Sequence, residues 1–268
     1  MNVDIVVPVY GAEGFLKACI RCVKEYTEWP YTLWISDDNS PQEGLKAYIR
    51  HLGMDPHGRI RVVQSSITRG FPANCNLAAA RGVSPLLCLL NSDTEPMPGW
   101  LTAMATRILS SPDIAVVGAR LLFSFTREPK EAGRIQHAGV AFNGEGAPYH
   151  PFRGYPPMAP EVMEPRFINA VTGACMLVRR SVWEELGGFD ERFVGGQYED
   201  IDFCLRARHA GYRIAYEPQA VLYHHEHGSG DEFVYAASER NRPLLLQKWP
   251  EVACDESLFG IPEGGPVD

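Results

Sequence analysis

No stretch of this 268-residue chain approaches the roughly 20 consecutive apolar residues of a membrane-spanning helix. The apolar stretch at 114–125 is broken by Arg120. Basic charge is in short supply. Lys and Arg total 25 against 33 Asp and Glu, the net charge is −8, and no basic stripe stands out, which argues against nucleic acid as a partner. An acidic chain that handles an anionic substrate needs local Arg, Lys or a metal. No basic region precedes the first apolar run, MNVDIVVPVY, and no room is left there for a signal peptide. The seven cysteines are odd in number and scattered, which suits a reducing compartment better than a disulfide framework. Cys19 and Cys22 form a C-x-x-C, but inside a helical pattern, where they read as buried thiols. A dinucleotide-dependent oxidoreductase needs G-x-G-x-x-G after its first strand. Only Gly11 and Gly14 are there, so that class is disfavoured.

What is present is an ordinary globular composition, 45% hydrophobic and 22% charged, with a strong rhythm. Strand-like runs begin near Asp4, Thr32, Arg59 and Leu86, with helical patterns between them. Phe15, Leu16, Cys19, Ile20 and Val23 recur at three and four, as do Leu45, Tyr48, Ile49 and Leu52. Such alternation predicts βαβ units, an α/β fold and a parallel sheet covered on both faces. A helix over 100–110 and a strand over 114–123 should follow. The rhythm then stops. Residues 124–168 hold seven prolines and several glycines, and are expected to form a functional loop or lid rather than core. Order resumes with 170–180, helices over 181–188 and 200–210, two strands, RIAYEP and AVLYH, and a last helix over 235–249. One domain over 1–249 is expected, divided into 1–123 and 124–249, with a tail at 250–268.

Ligands of open α/β sheets bind beyond the carboxyl ends of the strands. Here those ends carry Pro8-Val9-Tyr10, Asp37-Asp38 and Asp93, which should face one crevice. Asp93 closes an apolar strand, LLCLL, followed by NSDTE, and reads equally as a helix-capping loop acid or a cation ligand. In YEDIDFCLR, Glu199, Asp200 and Asp202 crowd the start of a helix. Capping and the macrodipole account for acids there, yet three in four residues exceed one cap, and a carboxylate above a crevice is well placed as a general base. His224, His225 and His227 after an apolar strand suggest a metal or phosphate contact, in a spacing that fits no standard zinc-finger pattern. Arg69 and Gly70 before a helix starting near Pro72 suit an anion, or place an ordinary arginine in a loop.

IVVPVYG, SDDNS, RGFPANCN, LLNSDTEPMPGWL, TGACMLVRRSVWEELGGFDERF, YEDIDFCLR and YHHEHGSG, in this order over about 3–249, resemble the family 2 glycosyltransferases. The resemblance implies a GT-A fold: a Rossmann-like, mostly parallel sheet flanked by helices, with an acceptor-side extension. It implies that Pro8, Val9 and Tyr10 line the base, that Asp37 reads the pyrimidine or ribose, and that Arg69 and Asn76 lie on the donor side. Asp93 fills the last position of a DxD-like metal motif whose first position here is Asn91. His224 matches a late metal-contacting histidine, with His225 and His227 as competitors, and Asp200 matches the catalytic base, with Glu199 and Asp202 beside it. The activity implied is inverting transfer from a UDP, dTDP or GDP sugar to a glycan or lipid-linked glycan, with Mn²⁺ or Mg²⁺. A cytoplasmic place, with peripheral association at the inner face of the membrane, goes with it. NSDTEPMPGWL and ERNRPLLLQKW look like bacterial surface-polysaccharide enzymes such as rhamnosyltransferases. A non-catalytic nucleotide-sugar-binding protein is the competing class; the joint presence of Asp37, Asp93, Asp200 and His224 argues against it.

The chemistry explains the strand-end acid. A carboxylate about 4 Å from one phosphate charge is repelled by about 4 kcal/mol at an effective dielectric near 20. A divalent cation between them reverses the sign.

Overall fold

The computed structural model describes residues 1–125, 130–225 and 231–253. The elements run β1 (Val3–Val9), α1 (Glu13–Tyr26), β2 (Tyr31–Asp37), α2 (Glu43–Leu52), β3 (Ile60–Gln64), α3 (Phe71–Ala79), β4 (Leu86–Leu90), β5 (Thr94–Pro96), α4 (Trp100–Leu109) and β6 (Ile114–Phe123). There follow β7 (Ile135–His137), β8 (Ala141–Phe142), β9 (Pro148–Tyr149), α5 (Pro160–Met163), β10 (Arg166–Ile168), β11 (Cys175–Arg179), α6 (Arg180–Glu185), α7 (Glu199–His209), β12 (Arg213–His224) and α8 (Asp231–Lys248), then a 3-10 turn, Pro250–Ala253.

The main sheet has the order β10-β12-β6-β11-β4-β1-β2-β3, with β5 on β12 and β7 on β6. Strands β1 to β4, β6 and β12 run one way, so the central sheet is mostly parallel; β5, β7, β10 and β11 oppose them. β1 and β4 are buried at every position, as their unbroken apolar runs require. One core, under α1, α2 and α4, fills one face; a second, under α3, α6, α7 and α8, fills the other.

Two expectations need correction. RIAYEP and AVLYH are one strand, β12, in which Pro218 falls at a register shift between Glu217 and Val221. A proline has no ladder N–H to give, and a bulge absorbs it. The punctuated stretch at 124–168 is not loop alone. Its described part carries β7, β8, β9, α5 and β10, and Ile135, Ala138 and Val162 pack with Leu122 and Tyr216 in a third core. Arg120, the charge that breaks the β6 run, holds this layer. Its guanidinium donates to the Pro157 carbonyl at 2.6 Å and rests on Met163. Arg166 lies over the Phe152 and Tyr216 rings, 4.8 and 4.9 Å from their centroids. The C-x-x-C thiols are free and buried, as expected.

Candidate active site

β2, β1 and β4 end side by side. Val9 is the register partner of Asp37, and the Asp38 N–H donates to the Val9 carbonyl at 2.9 Å. β4 flanks β1 on its other side and gives way to Asn91, Ser92 and Asp93. Asp37 is buried; it accepts the Ser40 N–H at 3.0 Å and lies 3.4 Å from the Gln64 amide nitrogen. The Ser40 hydroxyl accepts the Gly11 N–H at 3.0 Å, so the turn after Pro8, Val9 and the exposed Tyr10 is tied to the Asp37 loop.

The resemblance gives Asp38 no role of its own, but the structure does. Its two carboxylate oxygens accept the Arg69 and Gly70 N–H groups, each at 2.8 Å. That fixes the loop entering α3, where Gly70 takes φ 87°, a conformation open to glycine. Strand alternation held the clue: of two adjacent acids at a strand end, only one can face the crevice. The Arg69 side chain is exposed and donates to Ser65. Asn76 is occupied with the loop after α6. It donates to the Phe189 carbonyl at 2.9 Å and to Glu191 at 3.0 Å, and accepts the Phe189 N–H at 2.9 Å.

Across from these ends stands the end of β12. β5 pairs with it so that His224 opposes Thr94, and the His225 N–H donates to the Asp93 carbonyl at 3.0 Å. His224 Nε2 then lies 3.2 Å from Asp93 Oδ1. The other ring nitrogen, Nδ1, lies 2.7 Å from Gln136 Oε1, while the Gln136 amide nitrogen lies 3.4 Å from the His224 carbonyl. Gln136 Oε1 can only accept, so Nδ1 carries the hydrogen, and Nε2 faces the carboxylate as a lone pair in the neutral ring or as N–H in the charged one. A lone pair and an anion at that distance call for a proton or a cation between them. Two donors on one small divalent ion at about 2.1 Å sit roughly 3 Å apart, so the spacing fits. Asn91 Oδ1, two residues before Asp93, is buried with no hydrogen-bond partner.

Among the described residues no three His, Cys, Asp or Glu converge as a metal cage. His225 points the other way. It bonds Glu95 at 2.7 Å and Ser124 at 3.0 Å and packs on Phe15, lining a cavity of about 600 Å³. His227 lies outside the described residues.

The third group is the first turn of α7. Asp200 is partly exposed, and its Oδ2 accepts the Gly173 N–H at 2.6 Å while Oδ1 accepts the Ile201 N–H at 2.8 Å. A side chain at Gly173 would crowd it, since an added Cβ would lie 3.4 Å from the Asp200 Cβ. The next residue, Ala174, accepts the Asn91 N–H at 2.9 Å. The turn before β11 therefore links Asp200 to the end of β4.

Glu199 is buried, with Oε2 lacking a hydrogen-bond partner. Burial, reinforced by the charge of Asp200, raises its carboxyl well above the usual range. Burial raises Asp200 as well, but the Gly173 and Ile201 N–H groups and the Thr172 hydroxyl work against the rise. Both carboxyls therefore stand above their usual range, Glu199 well above it. Asp202 is fully buried and spoken for. Arg206 reaches it at 2.8 Å, Lys248 at 2.6 Å and the Trp249 indole at 2.9 Å.

Comparison with known proteins bears on the fold and the family. The glycosyl transferase family 2 profile matches residues 4–187, and that of glycosyltransferase like family 2 matches 157–235. The O-antigen biosynthesis protein RfbC of Myxococcus xanthus is 32% identical over 238 residues, covering 85% of this chain and 18% of its own length. The N-acetylglucosaminyl-diphospho-decaprenol L-rhamnosyltransferase of Mycobacterium tuberculosis is 26% identical over 243 residues, covering 84% of this chain and 77% of its own. The chain spans 25% and 18% of the length of two relatives matched at 30% and 32% identity. In fold it is similar to GalNAc-T7, solved with UDP, GalNAc and Mn²⁺, at a TM-score of 0.74 and 15% identity over 98% of this chain and 53% of that one. No described helix is long and apolar enough to cross a membrane. On a fold this similar, and with the first profile alone spanning β1 through α6, the chain belongs to glycosyl transferase family 2.

Proposed function

We propose that the chain is the catalytic domain of an inverting, divalent-cation-dependent glycosyltransferase that moves a sugar from a nucleoside-diphosphate donor to a hydroxyl of a glycan or lipid-linked glycan. Residues 1–123 form its donor half and 124–249 its acceptor half. The observation that carries the reading is the convergence at one sheet edge of the Asp93–His224 pair and the Asp200 carboxylate, joined through Gly173 and Ala174.

Asp37 and the turn of Pro8, Val9 and Tyr10 bind the nucleoside. Asp93 and His224 would hold a divalent cation, with Gln136 orienting His224 and Asn91 offering a neutral oxygen. When bound, a divalent cation acts as a Lewis acid on the departing diphosphate; a histidine among the ligands favours Mn²⁺ over Mg²⁺. Asp200 accepts the proton of the acceptor hydroxyl, and attack on the far face of the anomeric carbon inverts it. The names of the O-antigen and decaprenol-linked relatives support an acceptor of that class, and a cytoplasmic site of action at the membrane face goes with the proposal.

The test is a panel of UDP, dTDP and GDP sugars, read by thermal shift and turnover, each with and without Mn²⁺. One donor should stabilise the protein and turn over with Mn²⁺, and EDTA should abolish turnover. Full activity in excess chelator would refute the cation, and no turnover of any donor with a saccharide acceptor would count for a binding protein.

A further inference from the structure

The four residues before Glu199 all have positive φ: Gly195 at 83°, Gly196 at 88°, Gln197 at 73° and Tyr198 at 77°. Two are glycines, for which this is easy. Gln197 and Tyr198 are not, and a side chain in the left-handed region is tolerated only where surroundings impose it. The stretch is held from two sides.

On one side is the start of α3. A Cβ on Gly70 would lie 3.5 Å from the Gly195 nitrogen, and one on Gly196 would lie 3.5 Å from the Phe71 Cβ. On the other side is α8. Asn241, which is 2% exposed, turns its amide nitrogen away from its own helix onto three carbonyls of the turn: Gly196 at 2.7 Å, Gln197 at 3.2 Å and Val194 at 3.3 Å. The Arg240 guanidinium also donates to the Val194 carbonyl. The far end of the turn is held by the same helix and its exit. Tyr198 accepts the Asp202 N–H, and Asp202 is bound by Lys248 and Trp249. Asp200 sits between these two attachments.

We propose that Asn241 is a positioning residue for the transfer reaction: by holding the left-handed turn at 195–198 it sets the direction in which Asp200 leaves α7. This rests on the reading of Asp200 as the base. Packing alone would not need it. Leu245 already anchors α8 in the core, and the buried amide must find acceptors, which here are the carbonyls of the turn before the acids.

The experiment uses the full chain with Asn241→Ala, Asn241→Asp, which keeps the shape but cannot donate, and Asn241→Ala combined with Gln197→Gly. Amide exchange over 195–201 should accelerate about tenfold or more in both single variants while β1 to β4 are unchanged. With the donor selected by the panel, kcat should fall roughly ten- to hundredfold. Affinity for the matching nucleoside diphosphate with Mn²⁺ should stay within about twofold, since the donor ends of β1, β2 and β4 are untouched. Gln197→Gly should recover part of the lost kcat, because glycine enters the left-handed turn without help. Unchanged exchange overturns the clamp, as does a joint fall of melting temperature, affinity and kcat with no recovery by Gln197→Gly. If Asp200→Asn keeps the wild-type rate, the base assignment falls, whatever the exchange shows. If Asp200→Asn is inactive and Asn241→Ala keeps full kcat, the clamp alone falls.

Discussion

The donor-side edge and the acceptor-side edge hold their groups by different means. Around β1, β2 and β4 the positions follow from the parallel ladder: Val9 and Asp37 are register partners, and short loops after each strand complete the crevice. Past Phe123 the placing is done by single polar side chains. Arg120 holds the Pro157 carbonyl, Asn241 the turn before α7, and Gln136 the imidazole of His224. A ladder spreads its strength over many bonds, so one substitution barely moves it. A single polar side chain is one point of failure. Substitutions on the donor side should therefore change what is bound, and those on the acceptor side should change where the reacting groups stand.

The largest expected contrast lies within α7. Asp200→Asn should lower the transfer rate a hundredfold to ten-thousandfold, about 3–5 kcal/mol of barrier, and leave nucleotide affinity nearly intact. Asp202→Asn, which leaves Arg206 and Lys248 short of a buried partner, should instead destabilise the fold by about 3 kcal/mol with a smaller loss of rate per folded molecule. Denaturant melts beside single-turnover rates for both variants measure this. A selective rate loss in Asp202→Asn would move the base to that residue.

A smaller effect should mark the ladder side. Asp37→Ala should weaken nucleotide binding by roughly 1.5–3 kcal/mol through loss of a charged acceptor, while the rate at saturating donor stays near normal. Calorimetry showing wild-type affinity would remove Asp37 from the nucleoside site.

The smallest concerns pH. Glu199 in the folded protein keeps its proton above the range in which an unfolded glutamate loses it. Between those values the native state binds more protons than the unfolded state, so stability is full below the ordinary glutamate value and falls as pH rises through the window. The slope is at most about 1.4 kcal/mol per pH unit for one group. Glu199→Gln should flatten that fall in melts at pH 4 to 7; an unchanged slope would mean that Glu199 is not the proton holder.

The same contrast explains what could be foreseen. The β1 to β4 rhythm and the β6 boundaries were legible because apolar period and turn residues decide them. Asp93, Asp200 and His224 were visible as strand-end or helix-start polar residues. The pairing of Asp202 with Arg206 follows from one turn of helix. What brings Asp93 to His224 was hidden. β5 is three residues long, too short for any period to show, and Gln136 lies in a proline-punctuated stretch that resembles loop. Asn241 was equally silent, since a polar residue on a helix ordinarily faces water. Its role depends on a turn 45 residues away.

That three-residue strand also acts as a parity check. Successive side chains of a strand leave on opposite faces, and β12 ends on one imidazole, His224, with a second, His225, directly after it. With Thr94 opposite His224, His224 meets Asp93 and His225 meets Glu95. Adding or deleting a single residue between the bulge at Glu217/Val221 and His224 would exchange the two faces. His225 would then confront Asp93 without Gln136 behind it, and a change invisible to composition or hydropathy would alter the chemistry of the crevice.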